Sequence, residues 1–269
     1  MNIEVILAAV YGLVLGSFLH VCIFRFVYEL ALTKPARSFC PRCMNPIAWY
    51  DNIPVLSFLL LGAKCRRCGV KIAWRYPLVE IATGAAFACA IARHGATPEG
   101  FKLCLYAFLT IGCIFADIEE RILPDEFTLG GMAAGLTLAC MFPLPEPRIL
   151  PLLLWSTGLP VTFVNLLEAA LGAAVPTGIM WLIGTVMTRW KGRDALGLGD
   201  VKMVAMMGAF YGLGATLVAV SIGSVLGLVV GLPYILYTRN NYRTYEIPYG
   251  SFLGAAALIQ QFFLSQRAS

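Results

Sequence analysis

Charge is what this chain has least of. Only 13% of its 269 residues are Asp, Glu, Lys or Arg, while 59% are hydrophobic, and the mean hydropathy is +0.78. A soluble domain carries about a quarter charged residues, so this composition excludes one and indicates an integral membrane protein. Histidine is scarce too. With His20 and His94 alone there is no H-E-x-x-H zinc-protease pair and no late-span histidine for a Ser/His hydrolase. No G-x-S-x-G nucleophile elbow occurs. The chain also lacks a basic start followed by a cleavage site: its first charge is Glu4, and no Ala-x-Ala-like site follows the opening apolar run. Residues 4–27 are therefore expected to be a first membrane helix.

Apolar runs of spanning length, roughly 17 to 25 residues, recur along the chain. They predict an all-α polytopic membrane protein with about eight transmembrane helices, at 4–27, 76–94, 101–117, 126–142, 166–188, 199–213, 214–237 and 248–265. Pro143, Pro145, Pro147, Pro151 and Pro160 break any long helix in 143–165. Basic residues concentrate in the 27–76 loop: Lys34, Arg37, Arg42, Lys64, Arg66, Arg67, Lys71 and Arg75 stand against Glu29 and Asp51. Smaller groups are Arg189, Lys191 and Arg193, then Arg239 and Arg243. The positive-inside rule places all of them on the cytoplasmic side if eight spans leave both termini outside. Net charge of +5 is then topological; membrane lipid is an expected partner and nucleic acid is not. The expected organisation is a first helix at 1–27, a loop domain at 28–75 and a membrane core at 76–269.

The nine cysteines are of two kinds. Cys22, Cys89, Cys104, Cys113 and Cys140 stand singly in apolar runs, as small buried side chains do. Cys40-Pro41-Arg42-Cys43 and Cys65-Arg66-Arg67-Cys68 form two C-x-x-C knuckles separated by 21 residues. That spacing matches a four-thiolate zinc site, structural because no coordination position is left for water. Pro41 and Gly69 are turn formers beside the knuckles, and the flanking arginines favour thiolate. Disulfides or a redox C-x-x-C are the rival readings, weakened by the loop's cytoplasmic assignment. Between the knuckles, 55–61 is apolar but too short to span, so it is expected on the bilayer surface or against the helices.

Asp117 and Asp200 lie at the rims of apolar runs, 101–116 and 201–213. Ionisable groups are costly near lipid, so carboxylates there are functional candidates. The first sits in Asp117-Ile118-Glu119-Glu120-Arg121-Ile122-Leu123-Pro124-Asp125, where Pro124 can open the next helix with Asp125 in its first turn. Glu119 and Glu120 read as a solvated turn. The second follows two glycines, in Gly197-Leu198-Gly199-Asp200-Val201-Lys202. Those glycines allow close backbone approach, although Asp200 also fits a helix N-cap. Brought together, the two aspartates would share a proton, one taking a proton from water while the other donates to a scissile carbonyl.

With Gly16-Ser17-Phe18-Leu19, Arg37-Ser38-Phe39-Cys40, Trp49-Tyr50-Asp51-Asn52-Ile53-Pro54, Arg75-Tyr76-Pro77-Leu78-Val79-Glu80 and Ile247-Pro248-Tyr249-Gly250, these motifs resemble the type IV prepilin peptidases across nearly the whole chain. His20 departs from the family's usual asparagine. The resemblance implies a membrane aspartic protease of the bacterial inner membrane. Such enzymes cut the basic leader of type IV prepilins or type II secretion pseudopilins after a glycine, at the cytoplasmic face. They then methylate the new N-terminus with S-adenosylmethionine. It implies Asp117 and Asp200 as catalytic, Asp125, Gly197, Gly199 and Lys202 as supporting, and Cys40, Cys43, Cys65 and Cys68 as zinc ligands. Glu119, Glu120 and Asp125 would attract the basic leader.

Two other classes stay open at this level. A transporter would use Asp117 and Asp200 as proton or cation relays, but such sites favour the midplane between repeated halves, and no repeat is visible. A scaffold whose zinc loop recruits a cytoplasmic partner would need no chemistry. No soluble-type methyl-donor fingerprint exists, and His20 reads as a helix-packing residue.

Overall fold

The computed structural model describes residues 2–33, 37–142, 144, 159–192, 196–237 and 248–264. Expectations resting on Lys34, most of the proline-rich 143–158 stretch, Arg193, Arg239, Arg243 and Ile247 fall outside those residues. The chain divides into two units, Met1–Phe115 and Ala116–Ser269. Regular structure in both is helical; the described strand-like pairing is limited to isolated bridges at Phe39–Pro46 and Lys64–Lys71.

In the first unit α1 (Ile3–Val27) packs on α3 (Arg75–His94). Small residues make the approach close. A Cβ on Gly12 would lie 2.7 Å from the Gly84 Cα, and one on Gly16 2.7 Å from the Glu80 Cα. The pairs 12/84 and 16/80 also make the helices antiparallel, with backbones meeting as small residues permit between membrane helices. His20 is buried here: its Nε2 lies 3.1 Å from the Arg75 carbonyl and its ring stacks on Tyr76 at 4.3 Å. It serves packing, as the sequence indicated. The metal loop is an excursion between these helices, and 55–61 is mostly α2 (Leu56–Leu60). Val55, held at φ 61°, donates its N–H to Glu80 Oε2 at 2.7 Å, tying the loop to α3.

Helix α4 (Pro98–Glu120) carries the chain into the second unit, followed by α5 (Asp125–Met141), α6 (Val161–Lys191), α7 (Leu198–Leu226), α8 (Leu232–Tyr237) and α9 (Tyr249–Ile259). Four helical stretches among the described residues are long and apolar enough to cross a membrane: Ile3–Val27, Pro98–Glu120, Val161–Trp190 and Leu198–Ile235. The last of these joins two spans that the sequence separated at 213/214. It is not straight. Gly212 has φ 77° and ψ −175°, and residues on both sides of it meet the start of α9. Asp200 accepts from the Gly250 N–H, while Ser224 Oγ lies 2.9 Å from Tyr249 Oη. In a continuous helix residues 200 and 224 would be about 36 Å apart. The chain therefore reverses at Gly212, making α7 a hairpin with arms 198–211 and 213–226. Beyond Lys202 the first arm is apolar, and Gly135 of α5, Gly172 of α6 and Gly250 of α9 lie against it. Met203, Met206, Met207 and Phe210 on it are fully buried.

Candidate active site and metal centre

Leu123-Pro124 ends one helix and starts another. Pro124 takes φ −60°, ψ 140° as the cap of α5, so Asp125 opens the helix as expected. This turn leaves Asp117 in the last turn of α4, buried at 5% exposure. Asp200 is in the first turn of α7, whose cap is Gly197; the N-cap alternative for Asp200 is therefore corrected.

The two carboxylates converge on the N-terminus of α9. A helix leaves its first N–H groups without internal partners, and its dipole favours negative charge there. Ser251 donates its N–H to Asp117 Oδ2 at 2.6 Å and its hydroxyl to the same oxygen at 2.7 Å. The Gly250 N–H donates to Asp200. A Cβ on Gly250 would lie 3.0 Å from Asp200 Oδ1 and 3.2 Å from Asp117 Oδ2. Those oxygens are thus no further apart than the sum of these two distances, which brings both carboxylates to one small site.

Glycine does its work here by omission. A Cβ on Gly199 would meet the Leu123 side chain at 3.0 Å, and one on Gly197 would lie 3.2 Å from Asp200 Oδ2. Leu123, nearly buried, also comes within 2.9 Å of the Gly250 position and forms an apolar wall beside the pair. Lys202 does not reach the pair; its Nζ binds Asp125 Oδ1 at 2.7 Å, joining the starts of α7 and α5. Asp125 and Glu120 are exposed and Glu119 is half-buried. Ser251 was missed in the sequence. The available signal was Gly250-Ser251 just after Pro248-Tyr249, a helix start with small residues that leave its amides open.

In the first unit Cys40, Cys43, Cys65 and Cys68 have sulfurs all within 4.8 Å of one another and can hold a metal ion. The two knuckles repeat one backbone pattern. Met44 N–H bonds the Cys40 carbonyl and Gly69 N–H the Cys65 carbonyl; Cys40 N–H bonds the Asn45 carbonyl and Cys65 N–H that of Val70. Met44 and Gly69 are the left-handed residues, at φ 57° and 68°. The Asn45 backbone N–H, then its side chain, hold the Cys43 thiol down at about 6, and the N–H groups of Cys68 and Arg67 lower Cys65. A salt bridge from Arg66 to both oxygens of Asp51, at 2.6 and 2.8 Å, fastens the second knuckle to the turn Trp49–Asn52.

Known proteins resemble the chain along most of its length. Residues 10–94 match the Bacterial Peptidase A24 N-terminal domain and residues 103–232 the Type IV leader peptidase family. A prepilin leader peptidase/N-methyltransferase of Myxococcus xanthus (strain DK1622) is 40% identical over 85% of this chain, which spans 62% of that protein. One from Klebsiella pneumoniae is 39% identical over 75% of this chain and 82% of its own length. One from Neisseria gonorrhoeae is 35% identical over 84% and 80% respectively. No solved structure matches the chain. The sequence motifs, the paired aspartates and these relatives together place the chain in the type IV leader peptidase family.

Proposed function

We propose that this chain is a prepilin leader peptidase and N-methyltransferase whose proteolytic pair is Asp117 and Asp200. The observation that carries this reading is the convergence of both carboxylates on the first turn of α9. Two carboxylates gathered on one helix turn share one proton. The ionised member takes a proton from the water between them, and the water oxygen attacks the scissile carbonyl. The protonated member gives its proton to the carbonyl oxygen. Collapse of the resulting diol expels the amine with a proton from the pair while a diol hydroxyl returns its proton to the pair, so one water is consumed and the pair is restored. Gly250 and Ser251 hold the carboxylates in place through the donors already formed.

The rest of the second unit suits such a substrate. A groove of about 300 Å³, lined by Ile179, Ile183, Met187, Leu217 and Val220, reaches Tyr249, the residue before Gly250. Its apolar lining suits side chains of the hydrophobic helix that follows a prepilin leader. Eight spans, with the hairpin of α7 supplying two, put the pair at the cytoplasmic face of the inner membrane. Residues 28–75 form a zinc-bound loop domain and 76–269 the peptidase core. Zinc fits the thiol cluster: Zn–S bonds of about 2.3 Å set tetrahedral sulfurs about 3.8 Å apart, and the Cys40 and Cys68 sulfurs are 3.8 Å apart. Its contribution is to fold the loop.

S-adenosylmethionine supplies the methyl group in the second activity. The apolar grooves beside Tyr249 do not fit that charged cofactor. Purified protein incubated with a prepilin and labelled S-adenosylmethionine should yield a mature product cut after glycine and carrying label on its new N-terminus. An intact prepilin would overturn the proteolytic reading.

A further inference from the structure

A second carboxylate is buried in this unit, away from the aspartate pair. Glu168 lies on α6 with 0% exposure. It faces the hairpin turn of α7, where the second arm begins with N–H groups that have no helical partners. Gly212 and Gly214 are buried at this turn, and backbone polar groups away from water need partners from the protein. Glu168 Oε1 accepts the Leu213 N–H at 3.0 Å. Thr216 Oγ1 donates to the Gly212 carbonyl at 2.7 Å on the other side of the turn. Gly212 is at φ 77°, and a Cβ there would lie 2.7 Å from Glu168 Cγ.

One turn further along the same face of α6 is Gly172. A Cβ on it would collide with the Gly212 backbone, and a Cβ on Gly208 would collide with the Gly172 carbonyl. Glu168 and Gly172 thus grip Gly208 and Gly212, two pairs at i, i+4 spacing. The first arm is thereby fixed at its far end. Asp200 stands at the near end, roughly 18 Å along the helix. Any rotation or slide of this short arm at Gly212 moves the Asp200 carboxylate relative to Asp117.

We propose that Glu168 is a positioning residue for proteolysis: it caps the second arm of the α7 hairpin from a neighbouring helix and so sets where Asp200 meets Asp117. The inference rests on the proteolytic reading above. What it requires of residue 168 is an acceptor oxygen aimed at one amide. Glutamine keeps that oxygen; alanine does not.

The test uses the full-length protein with a prepilin substrate. Glu168→Gln should keep kcat within about threefold of wild type, whereas Glu168→Ala should lower it by about tenfold or more with KM changed less than about twofold. The pH–rate profile of the alanine variant should also move, because spacing within the pair has changed. Leu213→Pro removes the amide itself while suiting the first position of a helix. In that background Glu168→Ala should cause little further loss. Amide exchange at Leu213 gives a readout independent of activity: faster than wild type in the alanine variant and unchanged in the glutamine one. The proposal is overturned if both variants are equally impaired, if the losses with Leu213→Pro simply multiply, if Leu213 exchange is unaffected, or if the alanine variant melts earlier but keeps its kcat and pH profile. Wild-type protein that leaves prepilin intact would sink the proteolytic reading, and the exchange experiment would still decide the cap.

Discussion

Ser251 gives Asp117 two hydrogen bonds to one oxygen, from its backbone N–H at 2.6 Å and its hydroxyl at 2.7 Å, across 134 positions of sequence. Removing the hydroxyl alone, in Ser251→Ala, keeps the backbone donor and the helix. Hydrogen bonds to charged groups contribute about 1.5–3 kcal/mol, so kcat for prepilin cleavage should fall by about 10- to 100-fold with KM little changed. Steady-state kinetics on a purified prepilin would check it; an unaltered kcat would remove Ser251 from the site.

Asp117→Asn and Asp200→Asn should each abolish cleavage while the protein stays folded and inserted. An amide cannot exchange a proton with water, and one remaining carboxylate cannot play both roles. A product-mass assay detects the residual cleavage, and retained activity in either variant would take that residue out of the catalytic role.

Gly250→Ala probes the same geometry from the other side. Gly250 is in the first turn of α9, and alanine favours helix, so stability should hold. Its methyl would nevertheless sit 2.9 Å from Leu123, 3.0 Å from Asp200 and 3.2 Å from Asp117. Something must shift, and a displacement of about 1 Å can cost about 100-fold in rate. Thermal melting near wild type together with a strongly reduced kcat is the expected pair of results.

The aspartates were legible in the sequence because a carboxylate at the rim of an apolar run is anomalous in itself. So were the cysteines, whose spacing repeats. Ser251 and Glu168 were not, for a common reason. Each acts through a partner fixed only by folding, Asp117 in one case and the Leu213 amide in the other. Glu168 moreover stood at the edge of an apolar run, as any span-end residue does. The break at Gly212 was placed one or two residues late, since glycine in an apolar run gives no sign of its φ. Lys202 was read as supporting from the resemblance of the motif around Asp200; what its side chain binds, Asp125, became visible only on folding.

That last pairing bears on leader attraction. Asp125 is already matched by Lys202, and both Asp125 and Glu120 are exposed near Asp117 in sequence. Neutralising Glu119, Glu120 and Asp125 together should raise KM for a basic leader at low salt, with the difference shrinking as ionic strength rises. Lys202→Met, by contrast, breaks only a part-exposed ion pair. Such pairs contribute about 0.2–1 kcal/mol, so its cleavage rate should stay near wild type. A salt-independent KM in the triple variant would refute the steering role.

The metal loop yields a prediction separable from proteolysis. Cys43→Ser removes one of four clustered thiols and with it the favoured tetrahedral coordination. Purified wild-type protein should contain about one zinc per chain, and the serine variant much less, by elemental analysis. Because the knuckles have little regular structure besides two isolated bridges, loss of the ion should expose 37–75 to protease. The α1–α3 pair, held by its own glycine contacts, should remain folded. Limited proteolysis with and without a chelator reads this directly. Equal cleavage of the loop in both conditions would mean that the thiols, not an ion, hold the knuckles together.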